Sequence, residues 1–164
     1  MKICIITGPR VLNAGDEKLI EQVVGVIGSR GFKFYVGDAR GTDLVARKHA
    51  IIIGSDVNVF SPLPELSRTP AGLAERSTRM VKEAIAASWG NFHTQDKIIC
   101  VGFPNRACPT KIVPARSWKS DGSGTWSTIA LAIGHGIETF AFPLVGIGFS
   151  IMPTRGGWIG GNLK

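Results

Sequence analysis

Ile3-Cys4-Ile5-Ile6-Thr7-Gly8-Pro9-Arg10 opens the chain with a short apolar run that stops at a glycine and a proline. The run shows no polar alternation, so it predicts a strand buried on both faces. The residues beyond it change period. Leu19, Ile20, Val23, Val24 and Ile27 recur at helical spacing between Ala14 and Ser29, with Asp16 and Glu17 in the first turn and Gly31 just past the end. Phe32 to Val36 returns to strand and Gly37 stops it. Apolar strands separated by amphipathic helices indicate a parallel sheet covered by helices on both sides.

The alternation continues to the far end. A helix is expected over about Thr42 to Ile53, capped by Thr42 or Asp43 and ended by Gly54, and Val57, Val59 and Phe60 make a third strand. A polar loop with Pro62, Pro64 and Pro70 precedes a helix from Ala71 to Ser88, whose apolar positions include Met80, Val81, Ala84 and Ile85. Lys97 to Phe103 reads as a fourth strand, Thr125 to Gly134 as a fourth helix, and Ile137 to Phe142 as a fifth strand stopped by Pro143. Between Pro104 and Asp121 lies an irregular stretch with Arg106, Lys111, Arg116 and Lys119 and no acid before Asp121. Right-handed crossovers then give an α/β fold: a Rossmann-like, doubly wound sheet of about five parallel strands in the order 3-2-1-4-5. The expected domain spans 1–143. Residues 144–164, glycine-rich and without a clear period, read as a C-terminal tail or loosely packed flap.

Composition narrows the class. The chain has 164 residues, enough for one domain, and 44% are hydrophobic, enough for a core. No apolar run approaches the ~18 residues of a membrane span. Ile3 to Ile6 is too short for a signal peptide and no small-residue cleavage site follows, so a cytoplasmic location is expected. Cys4, Cys100 and Cys108 show no CxxC spacing and read as reduced thiols, while His49, His93 and His135 are scattered. No metal site is expected. The formal net charge of +7, from 19 basic and 12 acidic residues, favours polyanionic partners, although it also serves solubility.

In such a sheet the loops after the strands gather on one edge, and ligands bind where the strand order reverses. Three glycine-bearing loops fall there. Thr7-Gly8-Pro9-Arg10 follows the first strand: Gly8 permits a tight turn and Arg10 suits a phosphate, or the pair is a plain turn. Gly37-Asp38-Ala39-Arg40-Gly41-Thr42-Asp43 brackets a helix start, where N–H groups can hold an anion and Asp38 or Asp43 can accept from ribose hydroxyls, Asp43 alternatively serving as a cap. Asp121-Gly122-Ser123-Gly124-Thr125 enters the fourth helix and makes a phosphate cradle from amides and the Ser123 and Thr125 hydroxyls. Neither GxGxxG nor GxxxxGK[ST] is present, so a dinucleotide fingerprint and a P-loop are absent. Arg76 and Arg79, three apart, share a helix face and either close over a phosphate or stay solvated. Trp118 and Trp126 lie among or beside the basic residues, a composition that suits stacking on bases, with Trp126 the better candidate for core packing.

These motifs resemble the SLOG superfamily, which includes the DNA-processing protein A (SMF) proteins, the "lonely guy" phosphoribohydrolases and small Rossmann-like proteins. Ile6-Thr7-Gly8-Pro9-Arg10, Gly37-Asp38-Ala39-Arg40-Gly41-Thr42-Asp43 and the late Gly122-Ser123-Gly124-Thr125 carry the resemblance, over roughly residues 3–142. The second block is most similar to the small proteins, with their Gly-Gly-Ala-Arg-Gly-Ala-Asp pattern. The phosphoribohydrolases resemble Pro-Gly-Gly-x-Gly-Thr-x-x-Glu at the third loop, whereas this chain has Thr128 at the position of the glutamate. Whether the chain is an enzyme therefore stays open.

The leading expectation is binding of a nucleotide or nucleotide-derived small molecule in the crevice, with no further cofactor. An alternative is an enzyme that hydrolyses or transfers an N-glycosidic bond, with Asp38, Asp43 or Asp121 as the available carboxylates. A second alternative is binding of single-stranded DNA, for which weak affinity is expected from charge alone. Self-association is left open, and no membrane partner is expected.

Overall fold

In a computed structural model the structure describes residues 1–89, 97–120, 122–144, 151–154 and 157–160, the last two stretches as backbone. Five strands, β1 (Lys2–Thr7), β2 (Lys33–Gly37), β3 (Val57–Phe60), β4 (Lys97–Gly102) and β5 (Glu138–Ala141), alternate with four helices. The helices are α1 (Asp16–Ser29), α2 (Thr42–Ile52), α3 (Pro70–Trp89) and α4 (Gly124–Gly134). These five form one sheet whose four pairings are all parallel, in the order β3-β2-β1-β4-β5. The architecture is the doubly wound, Rossmann-like sheet that the sequence predicts, with the order reversing between β1 and β4.

The two faces of the sheet are filled by alternate residues of the same strands, as period-2 geometry requires. Cys4 and Ile6 of β1, Phe34 and Val36 of β2, and Ile99 and Val101 of β4 pack against Ile20, Val24 and Ile27 of α1 and Ala46 and Ala50 of α2. Ile3, Ile5, Tyr35 and Cys100 point the other way, onto Met80, Val81 and Ala84 of α3 and Leu131 and Ala132 of α4. This two-sided burial explains why the strands read as unbroken apolar runs.

The irregular stretch after β4 forms a strap over α4 rather than a free loop. Ile112 is fully buried against Trp126, Ile129, Ala130 and Ile133. The Trp126 indole N–H donates to the Arg106 carbonyl at 2.8 Å, and the Ser127 hydroxyl donates to the Lys119 carbonyl at 2.5 Å. Trp126 is thus a core residue that also pins the strap.

One expectation about local structure changes. Neither Thr42 nor Asp43 caps α2: the N-cap is Gly41, at φ +77, and it makes no side-chain cap bond. In the C-terminal segment, β6 (Ile151–Thr154) and β7 (Gly157–Gly160) pair antiparallel as a separate two-stranded sheet. The rest of the segment after 144, where a tail or flap is expected, lies outside the described residues.

Candidate functional site

Thr7 and Gly102 end neighbouring central strands in register, and the Phe103 N–H donates to the Thr7 carbonyl at 2.9 Å. Beyond them the chain departs in opposite directions, which opens a crevice of about 300 Å³. Gly8 and Arg10 line it from the loop after β1, Ala39 and Asp43 from the start of α2, and Gly122, Ser123, Gly124 and Thr125 from the start of α4. Pro70, Leu73, Ala74, Arg76 and Ser77 of α3 form another wall, which Trp118 and Ser120 of the strap complete. The volume is at the lower end of small-molecule sites, ~300–1,000 Å³.

At the α4 entrance Ser123 caps the helix, its hydroxyl accepting from the Trp126 N–H at 3.3 Å. Helix geometry leaves the N–H groups of Gly124 and Thr125 without intrahelical acceptors, so they are available to an anion. A Cβ on Gly124 would meet nothing within 4 Å, so the residue borders open space. Gly122, at φ +74, supplies the left-handed turn, and the Arg106 guanidinium donates to its carbonyl from behind.

The first two loops are fastened to each other. Thr42 donates to the Pro9 carbonyl through its N–H at 3.0 Å and its hydroxyl at 3.1 Å. A Cβ on Gly8 would collide with the Thr42 side chain, and one on Gly41 would collide with the backbone of Pro9 and Arg10. These glycines allow two loops to touch, and Gly41 and Thr42 do not line the crevice.

The loop after β2 carries an ion-pair cluster. Asp43 Oδ2 lies 3.3 Å and Asp38 Oδ1 3.6 Å from Nη1 of Arg76, while Arg68 holds Asp38 with a contact of 2.8 Å. The Asp43 and Arg76 side chains are 6% and 11% exposed. Gly37 is the floor beneath them: a Cβ there would run into the Asp43 carboxylate and the Arg76 guanidinium. Burial pushes the Asp43 carboxyl up to about 6, against the opposing pull of Arg76, an Ala39 backbone bond and Arg47. Burial also works against ionised Asp38, but hydrogen bonds from Arg68 and Ser61 and the charges of Arg68 and Arg76 win, and its carboxyl falls below the ordinary range. Two nearby carboxyls are therefore driven in opposite directions.

Of the residues expected at the site, Gly8, Arg10, Asp43, Arg76, Gly122, Ser123, Gly124 and Thr125 meet in the crevice. Gly37, Asp38, Gly41 and Thr42 support it from behind, and Arg40 is exposed and does not line it. Arg79 parts company with Arg76: it binds Glu75 at 2.7 Å and the Ser61 carbonyl at 2.5 Å, with its guanidinium over Phe60. Asp121 lies outside the described residues. Thr128 is buried within α4 and donates to the Gly124 carbonyl at 2.8 Å, away from the crevice. Sequence reasoning missed the α3 wall, because only the tertiary fold brings Leu73, Ala74 and Ser77 to this edge. Trp118 was visible as an aromatic among cations.

The thiols offer no nucleophile. Burial raises Cys4 well above its usual value, Cys100 to about 12 and Cys108 to about 11. Among the described residues no group of three His, Cys, Asp or Glu side chains is placed to hold a metal, and no helix is long and apolar enough to cross a membrane. No protein-family model, curated protein or solved structure matches this chain.

Proposed function

We propose that the chain binds a nucleotide or nucleotide-derived ligand in the crevice between the ends of β1 and β4. One observation carries the reading: loops distant in sequence, each with a glycine and a polar group, converge with Arg76 on a single cavity at the point where the strand order reverses. The phosphate belongs at Gly122–Thr125, where Gly124 borders open space and the amides of the first turn have no intrahelical acceptor. The ribose, or a second phosphate, belongs near Asp43, which Arg76 faces. The base has an apolar wall in Leu73, Ala74 and Trp118. The resemblance to the SLOG superfamily points the same way. A thermal-shift panel of nucleoside mono-, di- and cyclic phosphates tests it. Saturating ligand at ~100 times its dissociation constant adds ~2.7 kcal/mol to stability, and no response across the panel would remove the reading.

A second reading is chemistry on an N-glycosidic bond, favoured by the Asp43 carboxyl, which lines the crevice and titrates at about 6, a value suited to proton transfer near neutrality. Release of free base from nucleoside monophosphates, lost in Asp43→Asn, would promote it over simple binding.

A further inference from the structure

Arg76 reaches the crevice from α3, and its charge is poorly matched in the free protein. Among the described residues only its Nη1 approaches a carboxylate, at 3.3 Å from Asp43 and 3.6 Å from Asp38. Both separations exceed the ~2.7–2.9 Å of a strong charge-assisted bond. Its Nε is buried with no hydrogen-bond partner among the described residues. Asp38 has its own partner in Arg68, which holds both of its oxygens, at 3.3 and 2.8 Å. The residue Arg76 lines the crevice, so its guanidinium is the cation that an anion entering from α3's side meets.

Such an anion would arrive beside Asp43, which lines the same cavity. The Asp43 carboxylate sits in the first turn of a packed helix, over Gly37, and is almost fully buried. Like charges at close range in a desolvated site are costly, and the carboxylate relieves the repulsion by taking a proton. We propose that Arg76 binds a phosphate-class anion in the crevice and that Asp43 takes up one proton from water as the anion enters, becoming an O–H donor to it. The proposal rests on the crevice being the ligand site. It makes Asp43 the residue that decides which anions are accepted and at what pH.

The surroundings support this role. The charged groups facing Asp43 are Arg76 on α3, Arg47 on α2 itself and Asp38 in the preceding loop, with Arg68 behind Asp38 and Arg10 lining the cavity from the loop after β1. The cations outnumber the acids, so neutralising Asp43 leaves the pocket more positive and Arg76 held by Asp38 alone. The Asp43 carboxyl already titrates at about 6 in the free protein, so adding the proton costs little near neutrality.

Sulfate is the probe, because it does not titrate between about pH 5 and about pH 8 whereas phosphomonoesters do, near pH 6. It is exchanged for chloride at constant ionic strength. In the wild type, sulfate affinity should rise about tenfold per unit as pH falls from about 8 to about 6, then level off. Calorimetry in two buffers of different ionisation enthalpy should show uptake of about one proton at the alkaline end. Asp43→Asn, which keeps the shape, should bind sulfate at about pH 8 as the wild type does at about pH 5, with no uptake. Absence of sulfate binding throughout the range, or a pH dependence that survives in Asp43→Asn, overturns the proposal. Sulfate binding by the wild type without proton uptake overturns it equally, and that experiment needs no variant. Stabilisation by nucleotides without these effects overturns this inference alone; no stabilisation by any nucleotide removes the ligand-site reading beneath it.

Discussion

Thr42 holds the carbonyl of Pro9 with two of its own donors, the backbone N–H at 3.0 Å and the hydroxyl at 3.1 Å, and so ties the loop after β1 to the start of α2. The contact is possible only because Gly8 has no side chain to strike Thr42. Crevice geometry on this side therefore depends on a packing latch between residues 33 apart in sequence.

Gly8→Ala should lower stability by about 1–3 kcal/mol through overpacking. Thr42→Ala should cost about 1 kcal/mol for the hydroxyl bond, since the Pro9 carbonyl keeps its backbone donor. In the double variant the smaller side chain relieves part of the clash, so the two losses should fall short of additivity by at least ~0.5 kcal/mol. Denaturant titration of the four proteins gives the coupling, and strict additivity would separate the two loops.

Asp43 predicts the pH dependence of stability. Its carboxyl is raised in the folded protein, so the folded state binds that proton more tightly than the unfolded chain does. The associated stability is present in full below the unfolded value of ~3.9 and is lost as pH rises through about 6. Asp38 runs the other way: its carboxyl is lowered, and its contribution is lost as pH falls through that lowered value. Asp43→Asn should match the wild type near pH ~4 and gain on it by roughly 1–3 kcal/mol at neutral pH. Melting curves across this range check the sign. A variant that weakens steadily as pH rises would mean that pairing with Arg76 outweighs burial.

Gly124→Val separates binding from folding. The residue is exposed at the first turn of α4, and its added Cβ meets nothing. Unfolding should shift by no more than ~0.5 kcal/mol. The branched side chain would fill the approach to the free amides, so nucleotide affinity should fall about tenfold or more, the equivalent of ~1.4 kcal/mol. Gly41→Ala, at a left-handed φ of +77 and against the Pro9–Arg10 backbone, should do the reverse and unfold the protein first. A folded Gly124→Val protein with unchanged affinity would place the ligand elsewhere.

These two glycines show what the sequence could and could not disclose. The sheet was legible because β1 and β4 are apolar on both faces, which only a covered parallel sheet requires. The convergence of the loops followed from the strand order. Which glycine faces open space in the crevice and which packs against a neighbouring loop or side chain did not, because Gly8, Gly37 and Gly41 all answer to partners brought by tertiary folding. The same holds for Arg76 and Arg79: helical spacing put them on one face, yet Asp43 and Glu75 lead them to different neighbours. The β6–β7 pairing was hidden because Pro153 and glycines mask any period, a composition tolerable when both strands are edges.

Base release from nucleoside monophosphates should be weak or absent. In the resemblance to the phosphoribohydrolases Thr128 takes the position of their glutamate, and it is 1% exposed. A glutamate installed there would be buried within α4 rather than reach a ligand. Thr128→Glu should therefore destabilise the protein by several kcal/mol and confer no activity. Chromatography of reaction mixtures measures the base, and robust release by the wild type, lost in Asp43→Asn, would assign the chemistry to the crevice carboxyl instead.

Polyanion binding tests the strap. Lys111, Arg116 and Lys119 are exposed, as is Arg106, which is engaged with the Gly122 carbonyl and should be left intact. These cations and the net +7 attract any nucleic acid, and that attraction works by releasing counterions. Single-stranded DNA should accordingly bind weakly and fade by ~0.2 M salt. A nucleotide held by amides and the largely buried Arg76 guanidinium should lose less, because salt screens a desolvated contact poorly. Replacing Lys111, Arg116 and Lys119 by alanine should flatten the salt slope for DNA by about one unit for each phosphate no longer neutralised and leave nucleotide affinity within about twofold. Titrations at low and high salt distinguish the two modes. Tight, salt-resistant DNA binding that the triple variant abolishes would make the strap, and not the crevice, the principal binding surface.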